Sequence, residues 1–132
     1  MKPVVLDASV AVKWFRTEPG TAEARQLLEA HADGDLVIVV PSLFVYEFIG
    51  VASRYLSAAE TKELWRRFLG WRIHVREVGD SLMRDALDIQ ERYGCALYDA
   101  VAPALAAELE APLYSADRRA HGSWPGAVFV GR

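Results

Sequence analysis

Short apolar runs rich in β-branched residues alternate with longer segments of helical spacing along nearly the whole chain. Pro3-Val4-Val5-Leu6 and Leu36–Val40 are the clearest of these runs, and strands so uniformly apolar must be covered on both faces. Parallel sheets meet that demand, because the helices that carry the chain back also cover the sheet. The reading is therefore α/β: a three-layer α/β/α sandwich with a central, mainly parallel sheet. Its 132 residues suit a single domain spanning 1–132.

The punctuation supports this division. Thr17-Glu18-Pro19-Gly20 ends a short first helix, and Thr21 is read as the cap of a helix to about His31, with Ala24, Leu27 and Leu28 on one face. Asp33-Gly34-Asp35 is a turn. Pro41 stops the second strand, and Ser42 is read as the cap of a helix over about Leu43–Leu56. Ser57 and Glu60 have capping-box spacing and open a helix to about Trp71. Ile73–Val78 alternates apolar and polar residues, which suits an edge strand. Asp80 is read as capping a helix that stops at Gly94. A further helix covers roughly Leu97–Leu109. Leu113–Ser115 and Ala127–Val130 complete the strands.

Composition narrows the function classes. With 52% hydrophobic and 25% charged residues, the chain has enough apolar surface to fold, which excludes a disordered chain. A net charge of −3 excludes a protein that coats nucleic acid through global basicity; a nucleic-acid substrate would need a local basic rim. Asp7 interrupts the N-terminal apolar run, and the uncharged stretch Leu36–Tyr46 has 11 residues where a membrane span needs about 20. No targeting segment or membrane span is expected. The single cysteine, Cys95, cannot form an intramolecular disulfide, which suits the cytoplasm. It reads as a small buried filler. The three histidines, at 31, 74 and 121, are too scattered to suggest zinc.

The chemistry lies in four isolated acids. Asp7 is the only charge between Lys2 and Lys13 and ends the first strand. Glu47 is the only charge between Asp35 and Arg54, and Asp99 the only one between Arg92 and Glu108. Asp117 follows the fourth strand. In α/β sheets the functional crevice lies beyond the carboxyl ends of the strands, where Asp7 and Asp117 fall. Carboxylates gathered in an apolar setting repel unless a cation lies between them. Oxygen donors without His or Cys suit Mg²⁺ or Mn²⁺ rather than zinc. Each acid also has an ordinary explanation: an Asp after a strand is commonly a helix cap, and Glu47 could pair with a distant Arg.

Four segments frame these acids: VVLDASVAVKWF with Asp7 and Ser9, VPSLFVYEFIGV with Glu47, YGCALYDAVAPALA with Asp99, and LYSADRRA with Ser115 and Asp117. In their order, and in spacings of 40, 52 and 18 residues between acids, they resemble the motifs of the PIN-domain ribonucleases, and within these the VapC toxins of bacterial toxin–antitoxin pairs. The resemblance covers essentially the whole chain. It implies a metal-dependent endoribonuclease that holds Mg²⁺ or Mn²⁺ and cleaves RNA phosphodiesters, leaving a 5′-phosphate and a 3′-hydroxyl. Asp7, Asp99 and Asp117 would be metal ligands and Glu47 a ligand or water-positioning base. Ser9 and Ser115 would orient carboxylates or waters. The resemblance also implies a cognate antitoxin and a homodimer as partners.

Two departures stand out. Ser115 replaces the commoner Thr and keeps the hydroxyl. Pro103 lacks the N–H that would bond the Asp99 carbonyl, so either the helix begins nearer Ala102 or it bends there. Arg118 and Arg119, with Lys13 and Arg16, are candidates for gripping RNA phosphates, against the plainer reading of a solvated face. Leu64, Trp65, Phe68, Leu69 and Trp71 form a wide apolar surface for the core or a partner. Two other functions compete. A HAD-type phosphatase would need an Asp two residues after Asp7, where Ser9 stands. A PIN-like module that binds without cutting would be favoured by loss of an acid, and all four are present.

Overall fold

The computed structural model describes residues 1–131. Strand β1 (Lys2–Leu6) leads into the short helix α1 (Ala8–Ala11), a 3₁₀ turn (Val12–Trp14) and α2 (Thr21–Ala32). Then follow β2 (Leu36–Pro41), α3 (Ser42–Tyr55), α4 (Ala58–Trp71), β3 (His74–Arg76) and α5 (Asp80–Tyr93). The chain closes with α6 (Leu97–Leu109), β4 (Leu113–Ser115), α7 (Arg118–His121) and β5 (Ala127–Phe129). All five strands are parallel, in the order β3-β2-β1-β4-β5.

Alternation along β1 builds the three layers. Val4 and Leu6 point to one face, where α1, α2, α3 and α4 cover them together with Ile38 and Val40 of β2. Val5 points to the other, beneath α5 and α6, with Leu113 of β4. The first face is held by aromatic residues. Phe48 lies 5.8 Å from Phe44, Phe68 and Trp14 between ring centroids, and Trp14 donates its indole N–H to the Ala24 carbonyl at 2.9 Å. Burying a ring of this size contributes about 1.5–3 kcal/mol, so this cluster dominates that layer. Of the apolar face on α4, Leu64 and Phe68 are buried, while Trp65 and Leu69 stay exposed. His31 ties α2, β2 and α4 together, because its Nδ1 accepts the Ile38 N–H and its Nε2–H donates to the Trp71 carbonyl.

Several helix starts differ from the sequence expectation. Gly20, not Thr21, caps α2; its φ of 89° needs a glycine, and a Cβ there would also strike Gly131. Thr21 is the first helical residue, and its hydroxyl accepts from Glu18 N–H and donates to the Arg16 carbonyl. Pro41 and Gly79 occupy the cap positions expected of Ser42 and Asp80, and neither supplies a side-chain bond. The capping box at Ser57 and Glu60 is present, and Gly94 ends α5 in the left-handed region. Strands β3 and β5 are shorter than expected, at three residues each, and both lie at sheet edges. Helix α6 does not begin near Ala102; it starts at Leu97 and continues through Pro103.

The topology fixes where a site can form. From β1 the chain steps to β2 and β3 on one side, then crosses to β4 and β5 on the other. The reversal lies between β1 and β4. At such a switch point the two following loops part and leave a crevice at the carboxyl ends of the strands.

Candidate active site

Asp7 and Asp117 stand on the two loops that flank this crevice. Asp7 follows β1 directly, and its backbone N–H donates to the Tyr114 carbonyl at 2.9 Å, so β4 fixes its position. Its Oδ2 accepts the Ser9 N–H at 3.1 Å, capping α1. The Ser9 hydroxyl does a different job: it accepts the Ala116 N–H at 2.9 Å and joins the two loops. Asp117 caps α7, a helix absent from the sequence reading, with Oδ1 accepting the Ala120 N–H at 3.0 Å. The capping explanation thus holds for both residues, yet it uses one oxygen of each carboxylate.

Glu47 and Asp99 come from helices that begin at this end of the sheet. Glu47 lies in the second turn of α3, after β2, and Asp99 in the first turn of α6. Asp7 and Glu47 line a narrow cleft with Leu6, Phe44 and the exposed Tyr98. The charges register one another. Glu47 has its carboxyl pushed up to about 7, first by burial and then by Asp7 and Asp99, although the residue as a whole is exposed. The Asp99 carboxyl is also raised, chiefly by burial, with Asp117 and Asp7 adding to it while His121 and Arg119 pull the other way. Among the described residues none of the four acids has an ion-pair partner.

The donor set fits a hard divalent cation: carboxylates without basic partners, of which Glu47 and Asp99 are raised in proton affinity by burial and by acidic neighbours, with oxygens left over from capping. It is not a closed cage. Among the described residues no group of three His, Cys, Asp or Glu side chains stands ready to hold an ion by itself. Mg²⁺ does not require one, since it commonly keeps several waters and takes one or two carboxylates.

The basic candidates separate. Lys13 is corrected: it is buried, and its ammonium donates to Glu18 at 2.9 Å and to the Pro19 carbonyl at 2.6 Å, so it is withdrawn from any RNA-facing surface. Arg16 stacks 3.8 Å from the Tyr55 ring centroid and Arg118 4.4 Å from that of Phe129. Arg119 is the one near enough to Asp99 to influence its titration.

Ser115 is fully buried, and its Oγ accepts the Asp117 N–H at 3.0 Å and lies 2.7 Å from His121 Nδ1. His121 Nε2 lies 3.1 Å from the Asp99 carbonyl oxygen. Sequence reasoning passed over this histidine and Tyr98. The signal for His121 was the carbonyl that Pro103 leaves without a donor. For Tyr98 it was an aromatic residue beside a lone acid. A cavity of about 600 Å³ lies away from the acids, between α5, α6 and Trp124–Gly126. No helix of the described residues is long and apolar enough to cross a membrane.

No curated protein matches this chain by sequence. Solved structures share its fold. A toxin–antitoxin complex from Klebsiella pneumoniae has a TM-score of 0.73 at 18% identity, covering 95% of each chain. DNA-bound VapBC from Salmonella typhimurium has 0.74 at 16% identity, over 98% of this chain and 97% of that one. VapBC2 from Rickettsia felis, bound to a promoter DNA fragment, has 0.73 at 15%, over 96% of each. The sequence profile of the PIN domain matches residues 4–122, a span that takes in Asp7, Ser9, Glu47, Asp99, Ser115 and Asp117. With the switch-point crevice and its unpaired acids inside that span, the chain belongs to the PIN domain family.

Proposed function

We propose that this protein is a Mg²⁺- or Mn²⁺-dependent endoribonuclease and the toxin of a toxin–antitoxin pair. The observation that carries the reading is the meeting of Asp7, Glu47, Asp99 and Asp117 at the β1/β4 switch point without a basic partner among the described residues. The named toxin–antitoxin complexes among the structural neighbours support the antitoxin as partner. Family membership leaves the HAD-type alternative without support.

Asp7, Asp99 and Asp117 would hold the ion, using the oxygens that capping leaves over, and Glu47 would complete the set. When bound, such an ion supplies a water of lowered pKa and offsets charge on the scissile phosphate. Glu47, whose titration responds to Asp7 and Asp99, would act as a further ligand or as the base that positions the attacking water. Arg119 would meet a phosphate at the rim, and the exposed Tyr98 ring would meet a base or sugar. RNA as substrate, a homodimer and action in the cytoplasm belong to the same reading.

Purified protein should cut RNA with Mg²⁺ or Mn²⁺ and stop with a chelator. The same RNA should survive Asp7→Asn. Binding of RNA by the wild type with no cleavage under either metal would replace this reading with that of a non-cutting PIN module.

A further inference from the structure

Proline inside a helix removes one hydrogen bond, and its ring crowds the carbonyl four residues back. In α6 that proline is Pro103 and the carbonyl belongs to Asp99. A buried carbonyl left without a donor costs about 1–3 kcal/mol, so the chain should supply another. The donor present is His121, buried in α7, with Nε2 at 3.1 Å from Asp99 O.

The rest of the ring makes this assignment consistent. A proton on Nε2 leaves Nδ1 as an acceptor, and the Ser115 hydroxyl lies 2.7 Å from it. Ser115 Oγ in turn accepts the Asp117 N–H. Each polar group of the relay is then paired: Asp117 N–H to Ser115, Ser115 O–H to His121, His121 N–H to the Asp99 carbonyl. The relay starts at one acid of the crevice and ends at another, and crosses from the β4 loop to α6.

Resting on the metal-dependent reading above, we propose that His121 is a positioning residue that replaces the donor Pro103 cannot provide and so sets the Asp99 carboxylate for the divalent ion. It touches neither ion nor substrate. Its effect passes through the backbone of Asp99, where a small rotation of the first turn of α6 swings the carboxylate out of reach of Asp7. Groups that orient a ligand in this way typically change metal affinity by about 10–100-fold when removed.

Two substitutions divide the ring's roles. His121→Gln keeps a donor at the place of Nε2, while His121→Asn keeps only a group near Nδ1. Mn²⁺ titrated calorimetrically into wild type, His121→Gln, His121→Asn, Pro103→Ala and Pro103→Ala/His121→Asn gives the test. His121→Asn should bind Mn²⁺ about 10–100-fold more weakly, and His121→Gln near wild type. Pro103→Ala alone should change little, and in the double variant its restored N–H should recover most of the loss. Equal affinities for His121→Asn and wild type, or no recovery in the double variant, would overturn the proposal. If wild type itself binds no Mn²⁺, the metal reading fails separately. The relay is then judged in chelator. ¹⁵N NMR should find the His121 proton on Nε2, and melting should find His121→Asn less damaging when Pro103 is Ala. A proton on Nδ1, or additive melting losses, would overturn the proposal without any metal.

Discussion

The Ser9 hydroxyl accepts the Ala116 N–H at 2.9 Å, joining loops 107 residues apart in the chain. Together with the bond from the Asp7 N–H to the Tyr114 carbonyl, this contact ties the Asp7 loop to the loop that carries Asp117 across the switch point. Ser9→Ala strands a partly buried N–H and should cost about 1–3 kcal/mol, lowering the melting midpoint by several degrees. It should also weaken Mn²⁺ binding, because the two loops lose one of the two bonds that join them. Thermal melting and Mn²⁺ titration of the variant check both effects.

Removing one charge from the crevice should relieve repulsion while destroying the ion site. Asp99→Asn is expected to melt at or above wild type in chelator and to lose most of the Mn²⁺ increment. For a folded-state ligand that increment is about 2.7 kcal/mol at a hundredfold excess over Kd. Melting curves of both proteins, with Mn²⁺ and with chelator, decide it; equal Mn²⁺ shifts would remove Asp99 from the ligand set. Cleavage of RNA should be lost as well.

Asp117 serves as cap and candidate ligand at once, and two substitutions separate the roles. Asp117→Asn keeps an oxygen for the Ala120 N–H and should change stability by only a few tenths of a kcal/mol, whereas Asp117→Ala should cost about 1 kcal/mol. Both should impair Mn²⁺ binding. A fully active Asp117→Asn protein would leave Asp117 as a cap alone.

The raised Glu47 carboxyl has a signed consequence. Folded Glu47 titrates near 7 and unfolded Glu47 near 4.5, so between those values the folded state holds the proton more tightly. The stability this contributes is fully present below about pH 4.5 and is lost as pH rises through about 7. Apo wild type should therefore lose stability on going from pH 5 to 7.5, and Glu47→Gln should flatten that slope. Mn²⁺ affinity should move oppositely, rising with pH over the same window as the proton is displaced. Urea unfolding across pH, with and without Mn²⁺, measures both.

Much of the architecture was legible because it follows from local patterns. Runs such as Val4-Val5-Leu6 can only be strands covered twice, and the Ser57–Glu60 box announces its helix outright. Helix starts depart from expectation wherever a side-chain cap is assumed and the backbone does the work instead. At Gly20 the backbone turns by a positive φ, and at Pro41 extended backbone alone begins the helix. The acids were visible because each is alone in an apolar stretch. The fate of Lys13 was not, because its burial depends on Glu18 and Pro19 folding back over it. His121 was hidden for a similar reason: its partner is a backbone carbonyl 22 residues away, and carbonyls leave no mark in sequence except through the proline that fails to satisfy them.

The parallel order of the sheet also bears on timing. Val5 pairs with Leu113, so one side of the central strand waits for more than a hundred further residues. At a translation speed of about 5–20 residues per second, that interval is roughly 5–20 s. Throughout it the Asp7 loop lacks the Tyr114 carbonyl and the Ala116 N–H that hold it. A nascent chain emerging beside ribosomal RNA therefore has no assembled crevice until β4 docks. The activity proposed for this protein therefore requires that β4 has docked beside β1.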